Sequence, residues 1–299
     1  MGDFNFIRTD LADEGPFSGE KNYNGISVSD KQFGDISVST IKVLDETGEK
    51  SVGKPIGKYV TVSFGKLWLK EENEFRKVVS ALSEQIRCIA KENVGEKEYP
   101  KVLIAGLGNR YITPDAIGPQ CIKGITVTRH IRERNEKLFS QLKKWDISAI
   151  SPGVTGQTGI ETEELIKSAC SNVMPDLLLV IDALASRSVD RLATTVQLSD
   201  TGICPGSGIG NKCRAINRSS LGIPVIAVGV PTMVDSSTLV CDALEKAGIN
   251  SYSPELKKVL ENGRSFFVTL NESDVVISTL SRLLSEAVNA AFSFSEPSA

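Results

Sequence analysis

The period of apolar and polar positions changes several times along the chain, and the changes divide it. Residues 1–24 are polar, glycine-bearing and without period, which predicts a mobile arm. Segments 34–44 and 58–70 are rich in Ile, Val, Thr and Phe, with the turn-forming stretch DETG at 45–48 between them. That pattern predicts an antiparallel β element. From 72 to 92 the residues Phe75, Val78, Val79, Leu82, Ile86 and Ile89 recur at spacings of three and four, the stripe of an amphipathic helix.

Beyond residue 100 the pattern becomes that of buried strands. The runs 101–107 (KVLIAGL), 177–184 (LLLVIDAL) and 224–230 (PVIAVGV) are almost continuously apolar, as expected of parallel strands covered on both faces. Helical stretches lie between and after them, notably 161–172 and 273–292. Strand and helix alternating in this way predict an α/β fold. The expected architecture is a three-layer sandwich with a mainly parallel central sheet (72–299), preceded by the N-terminal antiparallel β element (25–70). Segment 199–222 has little periodicity and five glycines, and reads as a long loop of the kind that carries function.

Composition adds exclusions. Apolar content of 40% and charged content of 24% in 299 residues are those of an ordinary soluble protein. A formal net charge of −3 without a Lys/Arg-rich run gives no footprint for nucleic acid. The first residues are acidic where a signal peptide is basic. Phe6 stands where a myristoylation motif wants Ser or Thr. No apolar run reaches the roughly 18 residues of a spanning helix. The expectation is a soluble cytoplasmic protein with no membrane partner. Six scattered cysteines form no C-x-x-C pair and read as reduced, mostly buried thiols. His130 is the single histidine, so any Ser-His-Asp or Cys-His system would have to pass through it. It reads as structural, with a metal-ligand role as the sharper alternative.

Candidate chemistry follows from where ligands bind in an open parallel sheet, in the crevice outside the carboxyl ends of the strands. Asp115 lies in the loop after the first apolar run, and Asp182 at the end of the second. An aspartate in a stretch as apolar as LLLVIDAL is costly to bury unless it is paired or used. The plain alternatives are a buried hydrogen bond or helix cap for Asp182, and N-capping for Asp115 behind Pro114. Two carboxyls projecting into one crevice would share a proton, titrate as a unit, activate water and protonate a leaving group. The same geometry could instead hold a divalent cation. GLGN at 106–109 lacks the third glycine of a dinucleotide fingerprint, and GSGIGNK at 206–212 does not fit a phosphate loop. Tight turns explain these glycines better.

Eight blocks together carry a resemblance: IRTDLADE (7–14), GKPIGKYVTV (53–62), GLGNRYITPDAIGP (106–119), VTRHI (127–131), SPGVTGQTGIET (151–162), IDALASRS (181–188), DTGICPGSGIGNK (200–212) and GIPVIAVGVPTMVD (222–235). In this order they resemble the germination proteases, enzymes of spore-forming bacteria that degrade small acid-soluble spore proteins and are distantly akin to hydrogenase-maturation proteases. The resemblance implies an endopeptidase of the spore core with Asp115 and Asp182 as the catalytic pair; an aspartic-type pair with no cofactor and no metal is the expectation, favoured over a metalloprotease. It also implies a homotetramer, with small acid-soluble spore proteins as substrates. Thr9-Asp10-Leu11-Ala12 looks like the family's own cleavage motif, Thr/Ser-Glu-(Ile/Phe/Leu)-Ala. Residues 1–10 are therefore expected to be a propeptide, removed by self-cleavage between Asp10 and Leu11, with residues 11–299 as the peptidase domain. The alternative from another class is a metal- or ligand-binding maturation-type protein on the same core, for which a processing site at 9–12 has no use.

Overall fold

The two most apolar runs of the chain become neighbours at the centre of a single sheet. The computed structural model describes residues 8–14, 24–206, 214–249, 251–262 and 266–294. Among these the strands are β1 (Ile26–Phe33), β2 (Ile36–Val43), β3 (Gly57–Ser63), β4 (Lys101–Gly106) and β5 (Asp146–Ile150). They continue with β6 (Leu177–Ala185), β7 (Thr195–Ser199), β8 (Val225–Asp235) and β9 (Phe267–Val268). Their order across the sheet is β1-β2-β3-β7-β8-β6-β4-β5, with β9 on the far end of β8. Strands β5, β4, β6 and β8 run parallel, and β7, β3, β2 and β1 continue from β8 in antiparallel pairing. The α/β expectation holds. The N-terminal antiparallel element extends the central sheet edge to edge, because β3 pairs with β7 and β7 with β8.

Helices connect these strands: α1 (Glu46–Val52), α2 (Glu72–Val94), α3 (Ile117–Lys123), α4 (Arg129–Arg134), α5 (Glu136–Leu142) and α6 (Thr155–Thr158). After them come α7 (Thr162–Val173), α8 (Arg218–Leu221), α9 (Ser236–Lys246), α10 (Pro254–Asn262) and α11 (Ser273–Ala291). None is long and apolar enough to cross a membrane among the described residues.

Period-two alternation sorts the strand side chains onto two faces. Val102 and Ile104 of β4, with Leu177, Leu179 and Ile181 of β6, join the core under α2 and α11. There they meet Phe75, Val78, Leu82, Ile86 and Ile89 from α2 and Leu280, Leu283, Leu284 and Val288 from α11. Each such side chain, fully buried, stabilises the fold by about 1.5–3 kcal/mol before entropy is counted. The alternate residues Leu103, Ala105, Leu178 and Val180 pack on the opposite face with Ile166 and Cys170 of α7. Helix α7 covers the parallel half of that face. The cover over the antiparallel half comes partly from the N-terminus: Ala12 packs with Ile41, Val43, Val52 and Tyr59.

Several sequence expectations need correction. Residues 8–14 are no mobile arm: Leu11 and Ala12 are each 1% exposed. The rest of that expectation, residues 1–7 and 15–23, lies outside the described residues. The DETG stretch is a helix start. Asp45 Oδ1 accepts from the N–H groups of Thr47 and Gly48, each at 2.9 Å, and so caps α1. The second strand ends at Ser63, where Gly65 takes φ 70° and Leu67–Leu69 form a 3₁₀ turn. Within the long loop, Ser199 completes β7, Ile203 and Ile216 form a β-bridge that draws its limbs together, and Arg218–Leu221 are helical. Residues 207–213 lie outside the described residues. Of the described cysteines, Cys121, Cys170 and Cys241 are buried while Cys88 and Cys204 are exposed.

Candidate active site

The face of β6 that looks toward α7 carries Leu178 and Val180, and two residues further on the same face carries Asp182. The aspartate therefore ends an apolar stripe, 6% exposed. Its Oδ1 accepts from the N–H of Ala183 at 2.9 Å. It caps no helix, since it stands inside the strand.

Asp115 arrives from the loop after β4, in a 3₁₀ turn at Thr113–Asp115 that leads into α3. Its Oδ2 accepts from the N–H of Asn109 at 2.7 Å, a loop amide and not one of the helix. The turn is tight. Gly108 has φ 106°, and a Cβ there would fall on the carbonyl oxygen of Asp115 and 2.9 Å from its Oδ1. The glycines of GLGN thus serve close backbone approach, as does Gly106 against the carbonyl of Gly118.

Asp115 and Asp182 line one cavity of about 300 Å³, together with Leu107, Gly153, Cys204 and Asp10. Burial, then the Asp115 charge, hold the Asp182 carboxyl well above the usual carboxylate range, and Asp10 pushes the same way. Burial also raises Asp115, against the opposing amide of Asn109. Like charges in a shared, poorly solvated cavity resist joint ionisation, so the pair is suited to hold one proton between them. His130, exposed on α4, borders a separate surface hollow with Val127, Glu133 and Ser148. Among the described residues, no three His, Cys, Asp or Glu side chains are grouped as metal ligands would be.

The N-terminal segment lies in this cleft. Asp10 exchanges bonds with Ala185: its N–H donates to the Ala185 carbonyl at 2.9 Å, and its Oδ2 accepts from the Ala185 N–H at 2.9 Å. These Ala185 groups face the segment just past a register shift between Leu184 and Ala185, where Leu184 stands opposite Pro231. Gln197 grips the next stretch, with Nε2 donating to the Asp10 carbonyl at 3.1 Å and Oε1 accepting from the Ala12 N–H at 2.6 Å. Lys54 Nζ donates to the Thr9 carbonyl at 3.0 Å. Its pKa is lowered by burial, against the charges of Asp10 and Glu14. Glu14 accepts from the N–H groups of Arg187 and Ser188, and Asp13 pairs with Arg191. Of the two residues named from the sequence, Asp10 thus lines the cavity of the two carboxyls, and Leu11, the next residue, is buried. Gln197, Lys54 and Ala185 were not picked out. Lys54 lay in a quoted block without a role, and TVQLS is too short and polar to announce a buried strand.

Fold and cleft together define an α/β protein with one buried and one half-buried carboxyl at the carboxyl end of a parallel sheet and its own N-terminal segment laid in the cleft. The family follows from comparison: the chain belongs to the germination protease family, whose model matches residues 9–247, and it is therefore a peptidase. The germination protease of Caldanaerobacter subterraneus subsp. tengcongensis is 40% identical over 308 residues, covering 95% of this chain and 94% of that one. The germination protease of Clostridium perfringens is 39% identical over 273 residues, covering 90% of this chain and 81% of its own. A solved structure, a [NiFe] hydrogenase maturation protease from Thermococcus kodakarensis, aligns with a TM-score of 0.35 and 14% identity, over 67% of this chain and 98% of that one.

Proposed function

We propose that this chain is the zymogen of a spore germination endopeptidase, that Asp115 and Asp182 are its aspartic-type catalytic pair, and that it activates itself by cutting between Asp10 and Leu11. One observation carries the reading: Asp10, Asp115 and Asp182 line the same cavity. A peptide bond held beside two coupled carboxyls is set up for acid–base hydrolysis. The ionised carboxyl takes a proton from water, whose oxygen bonds to the carbonyl carbon. The protonated one gives its proton to the leaving nitrogen as the C–N bond breaks. Residues 1–10 are then the propeptide. The substrates are small acid-soluble spore proteins, entering the cleft in the place of residues 9–12. Assembly as a homotetramer belongs to the same reading and is checked by light scattering.

The test uses a chain beginning at Leu11 and a peptide containing Thr-Glu-Ile-Ala, with and without a strong chelator. Cleavage after Glu that survives chelation and drops at least about 100-fold in both Asp115→Asn and Asp182→Asn supports the pair. Cleavage lost on chelation makes the aspartates metal ligands. No cleavage by a folded chain overturns the reading. Mass spectrometry of the processed full chain must find an N-terminus at Leu11.

A further inference from the structure

Gln197 is a buried amide whose hydrogen-bond partners, among the described residues, lie in the N-terminal segment. It is 7% exposed, on β7, and its recorded partners are the Asp10 carbonyl and the Ala12 N–H. Removing that segment without a replacement would leave a buried donor and acceptor unpaired, at a cost of about 1–3 kcal/mol each. The carbonyl of one residue and the N–H two residues on are what an extended strand offers a parallel neighbour. Gln197 therefore does with its side chain what a strand does with its backbone, and it reads main chain irrespective of side chains.

Its position in the sheet gives this grip a chemical meaning. Asp182 pairs in register with Gly229, and Gly229 pairs in register with Gln197. Residues in one cross-strand row point to the same face. On β7 the neighbours Val196 and Leu198 go to the opposite core, which leaves Gln197 on the carboxylate face. A glycine separates the carboxyl from the amide, and the Leu184 side chain lies over that glycine, so the row carries a reacting group on one side of Leu184 and a hydrogen-bond donor on the other.

We infer that Gln197 is the oxyanion donor of the cleavage reaction. This rests on the reading of the Asp10–Leu11 bond given above. The oxygen to which Nε2 donates belongs to the carbonyl that water attacks. When water adds, the C=O π electrons move onto that oxygen, and the Gln197 N–H holds the charge. When the C–N bond breaks and the nitrogen takes its proton, the carbonyl re-forms and the bond to Gln197 weakens. Removing one such donor from a preorganised site lowers kcat by about 100- to 1,000-fold. The Oε1 contact to the N–H two residues on keeps the amide turned the right way.

The experiment is a two-way cycle on the chain beginning at Leu11. The enzyme is unsubstituted or Gln197→Met, a change that keeps length and apolar packing. The peptide carries either an ordinary amide or a thioamide at the carbonyl before the cut, where sulfur is the poorer acceptor. In the unsubstituted enzyme the thioamide is expected to lower kcat about 100-fold. In Gln197→Met, kcat on the ordinary peptide is expected to fall by a similar factor, and the thioamide to cost less than about threefold further. Equal thioamide penalties in both enzymes, or a Gln197→Met enzyme with kcat within about threefold of the parent, would overturn the role. Should Gln197→Met fail to melt cooperatively, Gln197→Leu takes its place in the cycle, since it also lacks the donor. If the unsubstituted enzyme cleaves neither peptide, the proposed function falls and takes this role with it. Cleavage with additive penalties removes Gln197 alone.

Discussion

Asp182 is an acid held where its charged form is poorly tolerated, and that has consequences for stability and for rate. Its carboxyl in the folded chain sits well above the ordinary range, while the unfolded chain keeps a value of about 3.9. The folded state therefore holds the proton more tightly. The stabilisation is complete below the unfolded value and is lost as pH rises through the folded one. Asp182→Asn, which removes the charge and keeps the shape, is expected to melt higher than the parent at pH 7, by roughly 3 °C or more, and to lose that advantage below about pH 3.5. Melting curves at the two pH values check it. In the proposed mechanism the same shift sets the rate, because that mechanism needs one carboxyl protonated and one ionised. Peptide cleavage should decline in acid as both protonate, and its alkaline limb should lie above the ordinary carboxylate value of about 4. A kcat/KM profile that is flat across the range would count against the pair. Gly108→Ala tests the turn that aims Asp115. The new methyl meets the Asp115 backbone, and activity is expected to fall at least about tenfold with a loss of about 2 kcal/mol in stability, read from kcat and urea melts.

At the scale of elements, what the sequence made legible was what repeats. Helix α2 was readable because Phe75 through Ile89 return to one face at every turn, and β4, β6 and β8 because both their faces are covered and their runs are unbroken. β7 was not readable. Thr195, Gln197 and Ser199 alternate with Val196 and Leu198, a pattern that normally means one wet face, yet all five are buried because the N-terminal segment and the sheet's neighbours cover them. Docking of residues 8–14 was hidden for the same reason, since its contacts come from Ala185, Gln197 and Lys54, far away in sequence. In the site, Asp182 stood out as a charge among apolar residues and Asp115 by its place in the loop after an apolar run, whereas an amide in a polar stretch had no such contrast. Asp45 shows how a local signal can be right in chemistry and wrong in element, because a turn and a helix start use the same side-chain-to-amide bond. Its cap gives an element-scale expectation: Asp45→Ala should destabilise the fold by about 1 kcal/mol. Urea denaturation measures it.

For the molecule as a whole, the proposed cut at Asp10–Leu11 would not by itself empty the cleft. Ala12 stays packed with Ile41, Val43 and Tyr59, Glu14 stays on the N–H groups of Arg187 and Ser188, and Asp13 stays on Arg191. A segment tethered this closely competes at an effective concentration of about millimolar. A chain beginning at Gly15 is therefore expected to show a KM for the Thr-Glu-Ile-Ala peptide several-fold below that of a chain beginning at Leu11. It should also melt lower, because it lacks those contacts. Equal KM values would mean that residues 11–14 leave the cleft freely after the cut.

Strand β8 is the seam of the sheet, parallel to β6 on one side and antiparallel to β7 on the other. Asp182 comes from the first side and Gln197 from the second, so the two reach each other only across Gly229. That makes the strand a clock. On the proposed reading, before residues 225–235 have been synthesised and seated, a growing chain already carries its blade, its handle and the bond to be cut, with nothing to set the distance between them. A chain that processes itself this way is barred from doing so early: finishing the fold is the permission to begin.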